Sequence, residues 1–334
     1  MGNIDNLKSN ISHAVINWMS YVLYHSRFLH YMLYKIDKHG VTPEKFHQVL
    51  VRIYTSTNGV IYDKLFTDLE KVTTEETLAL RDRVIASFEV LRVKGHIVGQ
   101  DLTREILDSL LVEYQQTGYT VLPFKLEKRS CDQIVDDVSK KPGVYRDCFD
   151  GERIKSVECL DIESPQGVIA QVDILDHSTD VTDDVLESEF FEILAEFLMQ
   201  SRRALLTIAT VWWSFPTKNP SSEGAQKYHF DLDGLKWSKV FIYLTDVTVD
   251  SGPHSAILGS HMPRKKSSHL LSRGYVRVED SEATNDGNEK TFVDSKGTII
   301  LGDTKCWHKG SMVKNNNRAI FQLEYSCHPI SSRF

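Results

Sequence analysis

Three side chains in the second half of this chain have the types and spacing to share one metal ion. In Tyr228-His229-Phe230-Asp231 an imidazole and a carboxylate stand two residues apart. On an extended strand that spacing turns both to one side, with Phe230 in the opposite layer. His-x-Asp alone is a weak signal, because chance supplies such triplets often. A third donor, His308, follows the run Thr298 to Leu301, the Gly302-Asp303 turn and Trp307. Two histidines and one carboxylate make the facial triad that suits non-haem Fe(II), with three positions left for a cosubstrate and O2. Arg318, ten residues further on, opens another β-rich run. A 2-oxo dicarboxylate would chelate iron through its keto oxygen and C1 carboxylate. Its C5 carboxylate then needs a buried bidentate guanidinium, which Arg318 can supply. The bland alternative for Arg318 is a surface arginine on a strand.

The elements that must position these groups change character at Gly118. Before it, Trp18, Tyr21, Tyr24, Phe28, Tyr31 and Tyr34 recur at helical spacing within Ala14 to Ile36, which predicts a helix packed on the rest of the chain. Thr42-Pro43 starts another helix and Asn58-Gly59 stops it. Thr73 with Glu76 forms a capping box for a helix ending at Gly95, and Asp101 caps a third segment closing near Gly118. Residues 1–117 are therefore expected to be an all-helical extension.

After Gly118, β-rich runs begin at Tyr119, Gly167, Leu206, Lys239, Thr298 and Ala319. Separated by turns, they predict an antiparallel sandwich or barrel over 118–334. One helix, about Val185 to Ser201, interrupts them, and no glycine-rich phosphate loop is present.

The bulk properties exclude several classes. The chain has 334 residues, a formal charge of −7, 41% hydrophobic and 25% charged residues, the composition of a globular protein. That charge argues against nucleic acid, and Arg264-Lys265-Lys266 reads as a solvated loop. Cys131, Cys148, Cys159, Cys306 and Cys327 show no C-x-x-C spacing and no disulfide framework, which fits a reducing compartment. The N-terminus lacks a signal-peptide pattern, and the first aromatic helix is too polar to cross a bilayer. A cytoplasmic location is expected, with the N-terminal helices offering a surface for a homodimer.

The ordered motifs Gly118-Tyr-Thr-Val-Leu-Pro, His229-Phe-Asp231, Lys239-Val-Phe-Ile-Tyr-Leu-Thr-Asp246-Val, Ser251-Gly-Pro253, Gly259-Ser-His261, Gly302-Asp303 and Trp307-His308 through Arg318 resemble the phytanoyl-CoA dioxygenase-like family of Fe(II)/2-oxoglutarate-dependent oxygenases. The resemblance spans about Tyr119 to Tyr325, and residues 1–110 match no family. It implies a mainly β, cupin-like double-stranded β-helix (jelly roll), with His229, Asp231 and His308 as iron ligands and Arg318 as the C5-carboxylate anchor. Gln226, Tyr243, Thr245 and Ser311 are candidates by position for the C1 carboxylate, and none stands out. The implied reaction uses O2 and 2-oxoglutarate, releases succinate and CO2, and hydroxylates a small organic substrate. Halogenating relatives replace the carboxylate ligand, and Asp231 is present here. The same centre directing desaturation, epimerisation or cyclisation is one alternative, and a non-catalytic jelly-roll binding protein is another.

Nearby residues have plainer readings. Asp233 is expected to be structural or to support the site, and His254 and His261 to lie in turns as structural or substrate-facing groups. His328 lacks partner ligands, and Cys306 reads as a buried thiol near the pocket. Trp212, Trp213 and Trp237 are either core or an active-site wall. After Phe215-Pro216 the polar stretch to Ala225 reads as a loop able to close over the site or as an ordinary connection.

Overall fold

The computed structural model describes residues 54, 63, 66, 67, 70–146, 154–163, 165, 168–216, 226–262, 277–284 and 288–327. The helix expected at 14–36, the Thr42-Pro43 start, the Asn58-Gly59 stop, Cys148, the stretch 217–225, the Arg264 cluster and His328 lie outside them.

Helix α1 (Thr74–Val93) opens with the expected capping box: Glu76 N donates to Thr73 Oγ1 (3.2 Å), and Thr73 N donates to Glu76 Oε2 (2.6 Å). Strand β1 (Ile97–Gly99) follows, so the part before Gly118 is not all helical. The run is three residues long, too short for alternation to register. The cap of α2 (Arg104–Thr117) is Thr103 rather than Asp101. Thr103 stands directly before the first turn and accepts from Ile106 N, while Asp101 pairs with Arg92. Gly118, at φ 80°, closes α2 in the left-handed region and turns the chain into β2 (Tyr119–Leu126).

Next come α3 (Lys128–Ser139), β3 (Gly143–Arg146), β4 (Ile154–Val157) and β5 (Ile169–Asp173). The single helix expected near 185–201 is two, α4 (Asp180–Glu187) and α5 (Phe190–Met199). Ser188 Oγ donates to Val185 O and accepts from Phe190 N, and Glu189 sits at φ 55°, so one chain direction ends and another begins. Then follow β6 (Leu205–Ser214), β7 (Trp237–Tyr243), β8 (His254–Leu258), α6 (Asp280–Thr284), β9 (Asn288–Phe292), β10 (Thr298–Gly302), β11 (His308–Gly310) and β12 (Arg318–Ser326).

Among the described residues nine strands form an antiparallel sheet in the order β1-β2-β10-β7-β12-β6-β5-β3-β4, and β11-β8-β9 form a smaller one. This is the mainly β, double-stranded β-helix expected, and β1 extends its large sheet by pairing with β2. Alternation decides what each face does. Val211, Trp213, Val240, Ile242, Ile299, Leu301, Ala319, Phe321, Leu323 and Tyr325 pack with α1, α2 and the almost wholly buried α5 into the main core. Each large side chain buried there contributes about 1.5–3 kcal/mol. The opposite residues of the same strands, including Phe241, Tyr243, Ile300 and Ile320, meet Ala256 and Phe292 of the small sheet. That inner space contains the candidate site. Among the described residues no helix is long and apolar enough to cross a membrane.

Candidate metal and cosubstrate site

His229 and His308 face each other across an antiparallel bridge. His229 N donates to His308 O (3.0 Å) and His308 N donates to His229 O (2.8 Å), which puts both imidazoles on one side with ring centroids 4.3 Å apart. Asp231, two residues along, donates its N–H to Thr304 O (2.8 Å). Its Oδ1 lies 3.8 Å from His229 Nε2 and its Oδ2 3.5 Å from His308 Nε2. One donor atom from each residue falls within 4.8 Å of the others, and no other His/Cys/Asp/Glu group of three does so among the described residues. Phe230 points away and packs edge-on against Trp307 at 4.9 Å.

The second nitrogen of each ring fixes its orientation. His229 Nδ1 lies 2.9 Å from Lys227 O, and His308 Nδ1 lies 3.0 Å from Cys306 O. A carbonyl can only accept, so each Nδ1 carries the proton and each Nε2 keeps its lone pair towards Asp231. Protonation favours the same state. Burial, above all, holds His229 below its ordinary value and pushes His308 down to about 3. Burial would raise Asp231, yet Lys239, then His308 and His229, hold its carboxyl well below the usual range. Neutral imidazoles beside an ionised carboxylate are what a divalent cation requires, so the donor set fits iron.

Lys239 on β7 is the neighbour that motif reading missed. Its Nζ donates to Asp231 Oδ2 (2.7 Å), lies 3.1 Å from Asp233 Oδ2, and pairs at 3.1 Å with Glu324 Oε2 without an aligned hydrogen bond. Burial, with the neighbouring Asp233 and Asp231 carboxylates adding to it, pushes Glu324 up to about 7 against the pull of Lys239. The signal was present: a lysine in the fully buried strand Trp237–Tyr243 must have ionic partners. Asp233 thus supports Lys239 in this arrangement. His254 opens strand β8 rather than lying in a turn, since it pairs with Phe292 and Gly310. Its Nε2 is 3.0 Å from Tyr119 Oη, and its ring is 5.6 Å from that of His308. His261 sits outside the triad, with Nε2 3.1 Å from Gln115 O and Nδ1 3.5 Å from the buried Cys306 Sγ.

Arg318 starts β12 on the inner face. Its Nη2 donates to Ser214 Oγ (3.0 Å), while its Nε and Nη1 are buried without a hydrogen-bond partner among the described residues. A Cβ placed on Gly310, two residues beyond His308, would stand 3.7 Å from Nη2, which puts the guanidinium under the metal-side strand. Burial lowers its pKa and only Tyr243 opposes this, as expected of a guanidinium lacking a carboxylate. Two buried donors awaiting acceptors fit one end of a dicarboxylate. Among the C1 candidates, Tyr243 is cross-strand from Ile320 and donates to Phe292 O. Thr245 Oγ1 accepts from Ala319 N, Ser311 follows β11 with its N–H on Pro253 O, and Gln226 lies three residues before His229. Trp213 and Trp237 are buried, the latter donating to Thr304 Oγ1, whereas Trp212 is half-buried on the inner face.

A family model described as phytanoyl-CoA dioxygenase matches residues 114–319. A comparison with curated proteins finds no match. Similar solved structures include the epimerase SnoN in complex with Fe3+, alpha ketoglutarate and nogalamycin RO, 16% identical at a TM-score of 0.49, covering 67% of this chain and 84% of that one. AviO1 from Streptomyces viridochromogenes Tue57 is 15% identical at 0.45, covering 66% and 94%. HygX from Streptomyces hygroscopicus, with nickel and 2-oxoglutarate bound, is 14% identical at 0.44, covering 67% and 87%.

Proposed function

We propose, from the premise that this chain belongs to the phytanoyl-CoA dioxygenase family and is an iron- and 2-oxoglutarate-dependent oxygenase-type enzyme, that it hydroxylates a small organic substrate. In this reading His229, Asp231 and His308 hold Fe(II), and Arg318 holds the C5 carboxylate of 2-oxoglutarate. The observation that carries it is the pairing of a three-donor cluster with a buried guanidinium that has two unanswered N–H groups. Bound iron, with 2-oxoglutarate and O2, supplies the oxidising chemistry and releases succinate and CO2.

The chain's own residues do the positioning. The paired backbone bonds between His229 and His308 set the separation of the imidazoles, and Lys227 O and Cys306 O aim their Nε2 atoms. Lys239 holds one oxygen of Asp231 and so orients the other. Ser214 fixes Arg318 with two N–H groups directed inward. Phe241, Tyr243, His254 and Ile320 wall the space and limit water.

We infer an oxygenase domain at 118–334, with 1–117 as an extension that supports a homodimer. A cytoplasmic location is supported by the four free cysteines among the described residues. Hydroxylation is tested by screening small organic compounds for coupled succinate release and product mass. The product should gain one oxygen atom, which carries the label when isotopically heavy O2 is supplied. A product that has instead lost two hydrogens contradicts hydroxylation and leaves the centre intact.

A further inference from the structure

The inner face of the large sheet continues past Arg318 onto β6, β5 and β3. Register defines its rows, because residues paired in an antiparallel ladder project to the same side. One row runs Arg318–Ser214–Ile169–Arg146, and the next runs Tyr243–Ile320–Trp212–Gln171–Val144. The side-chain bond between Arg318 and Ser214 puts the first row on one face, and the approach of Arg318 to Gly310 of the small sheet and the packing of Tyr243 and Ile320 against Ala256 place both rows on the side of the metal cluster. The intervening residues Tyr145, Ala170, Val172, Val211 and Trp213 enter the main core, so the assignment of faces is consistent along all three strands.

Three neighbours on this face have buried polar atoms without a hydrogen-bond partner among the described residues: Arg146 Nε, Gln171 Oε1 and Trp212 Nε1. Such atoms also occur elsewhere, at Trp213 and Ser238. Here they lie side by side. The Arg146 guanidinium stands 6.0 Å from the Trp212 ring, and no carboxylate of the described residues pairs with it. Buried polar groups are normally satisfied, and a cluster of unanswered ones, two donors and one acceptor around a positive charge, describes the complement of a ligand. The donors match an anionic oxygen. The acceptor matches a hydroxyl or amine beside it.

We propose that Arg146, Gln171 and Trp212 form the substrate subsite, and that the substrate carries an anionic group, a carboxylate or a phosphate, next to a hydrogen-bond donor. This rests on the metal and cosubstrate reading, which fixes where the other end of the substrate must lie. Lys239 and Phe241, beside the metal cluster, are on β7, two strands from Trp212 and four from Arg146. At about 4.8 Å per strand the anionic end is held roughly 10–19 Å across the sheet from the reacting end. Arg146 and Arg318 share a row but are three strands apart, roughly 14 Å, so one dicarboxylate cannot occupy both.

The test uses the full chain with Zn(II) in place of iron, saturated with 2-oxoglutarate, and follows isotope-labelled indole and guanidinium N–H signals by NMR. The Trp212 signal is assigned with Trp212→Phe and the Arg146 signal with Arg146→Lys. Glycerate and glycerol 3-phosphate are the probes for the two anion classes. Saturable shifts of both signals are expected with at least one probe, and the responding probe identifies carboxylate or phosphate. Arg146→Gln should weaken that binding at least tenfold, and Arg146→Lys should recover part of it. No saturable shift with either probe, or binding unchanged in Arg146→Gln, overturns the subsite. The iron-loaded forms separate the two readings. Arg146→Gln should keep the visible Fe(II)/2-oxoglutarate band of the wild type, and loss of the band in that variant overturns the subsite as a separate site. A wild type without the band overturns the centre, and the subsite with it.

Discussion

The proposed triad is oriented by hydrogen bonds from within the chain, at Lys227 O, Cys306 O and Lys239 Nζ. Because burial keeps His308 near 3 and His229 below its ordinary value, protons compete weakly with a metal at neutral pH. Two exposed histidines titrating near 6.5 would lose roughly fifteenfold in affinity between pH 8 and pH 6. Here Fe(II) affinity, measured anaerobically by calorimetry, should change less than about threefold over that range, and a fall of tenfold or more would show that the imidazoles titrate normally. Lys239 supplies a second prediction. Removing it in Lys239→Met leaves Asp231 free to rotate, and iron affinity should fall roughly 10- to 100-fold. Lys239→Arg should recover part of the loss, and an affinity equal to wild type in Lys239→Met would remove Lys239 from the account.

At the scale of elements, Gly118 joins the helical part to the sheet. It lies at φ 80°, and a Cβ there would stand 2.5 Å from Cys306 Sγ and 2.7 Å from His261 Nδ1. Gly118→Ala should therefore destabilise the chain by roughly 1–3 kcal/mol, read as a lower urea midpoint, and an unchanged midpoint contradicts the packing described. The same scale shows what sequence makes legible. The capping box at Thr73 and the strands β2, β6, β7, β10 and β12 have strong local signals, and the structure places them within a few residues of expectation. Strands β1, β3, β4, β8, β9 and β11 were not anticipated, being only three to five residues long, with pairing that depends on distant partners. The ligand candidates were legible because His229 and Asp231 are close in sequence. Lys239, His254 and Ser214 became visible as site neighbours only when non-local strands were laid side by side.

Over the whole molecule, the buried histidines make stability depend on acid. His254 and His308 are neutral in the fold, held down first by burial and then by surrounding positive groups. Their folded values lie below the unfolded value near 6.5, so their contribution is fully present above that pH and is lost as pH falls towards the folded values. At pH 5 His308 would cost about 2 kcal/mol relative to pH 7, and His254 acts in the same direction. Glu324, raised to about 7, works in the opposite sense and offsets part of this. The urea midpoint of the metal-free chain should fall clearly from pH 7 to pH 5, and a flat profile would show that these histidines are not buried as described. Whether the three donors hold iron and Arg318 holds 2-oxoglutarate is read by anaerobic titration of the metal-free protein with Fe(II) and then 2-oxoglutarate, following the visible charge-transfer band. The wild type should show a band and His229→Ala none, and Arg318→Ala should require roughly 10- to 100-fold more 2-oxoglutarate. A folded, iron-loaded wild type that shows no band would contradict this reading of the site.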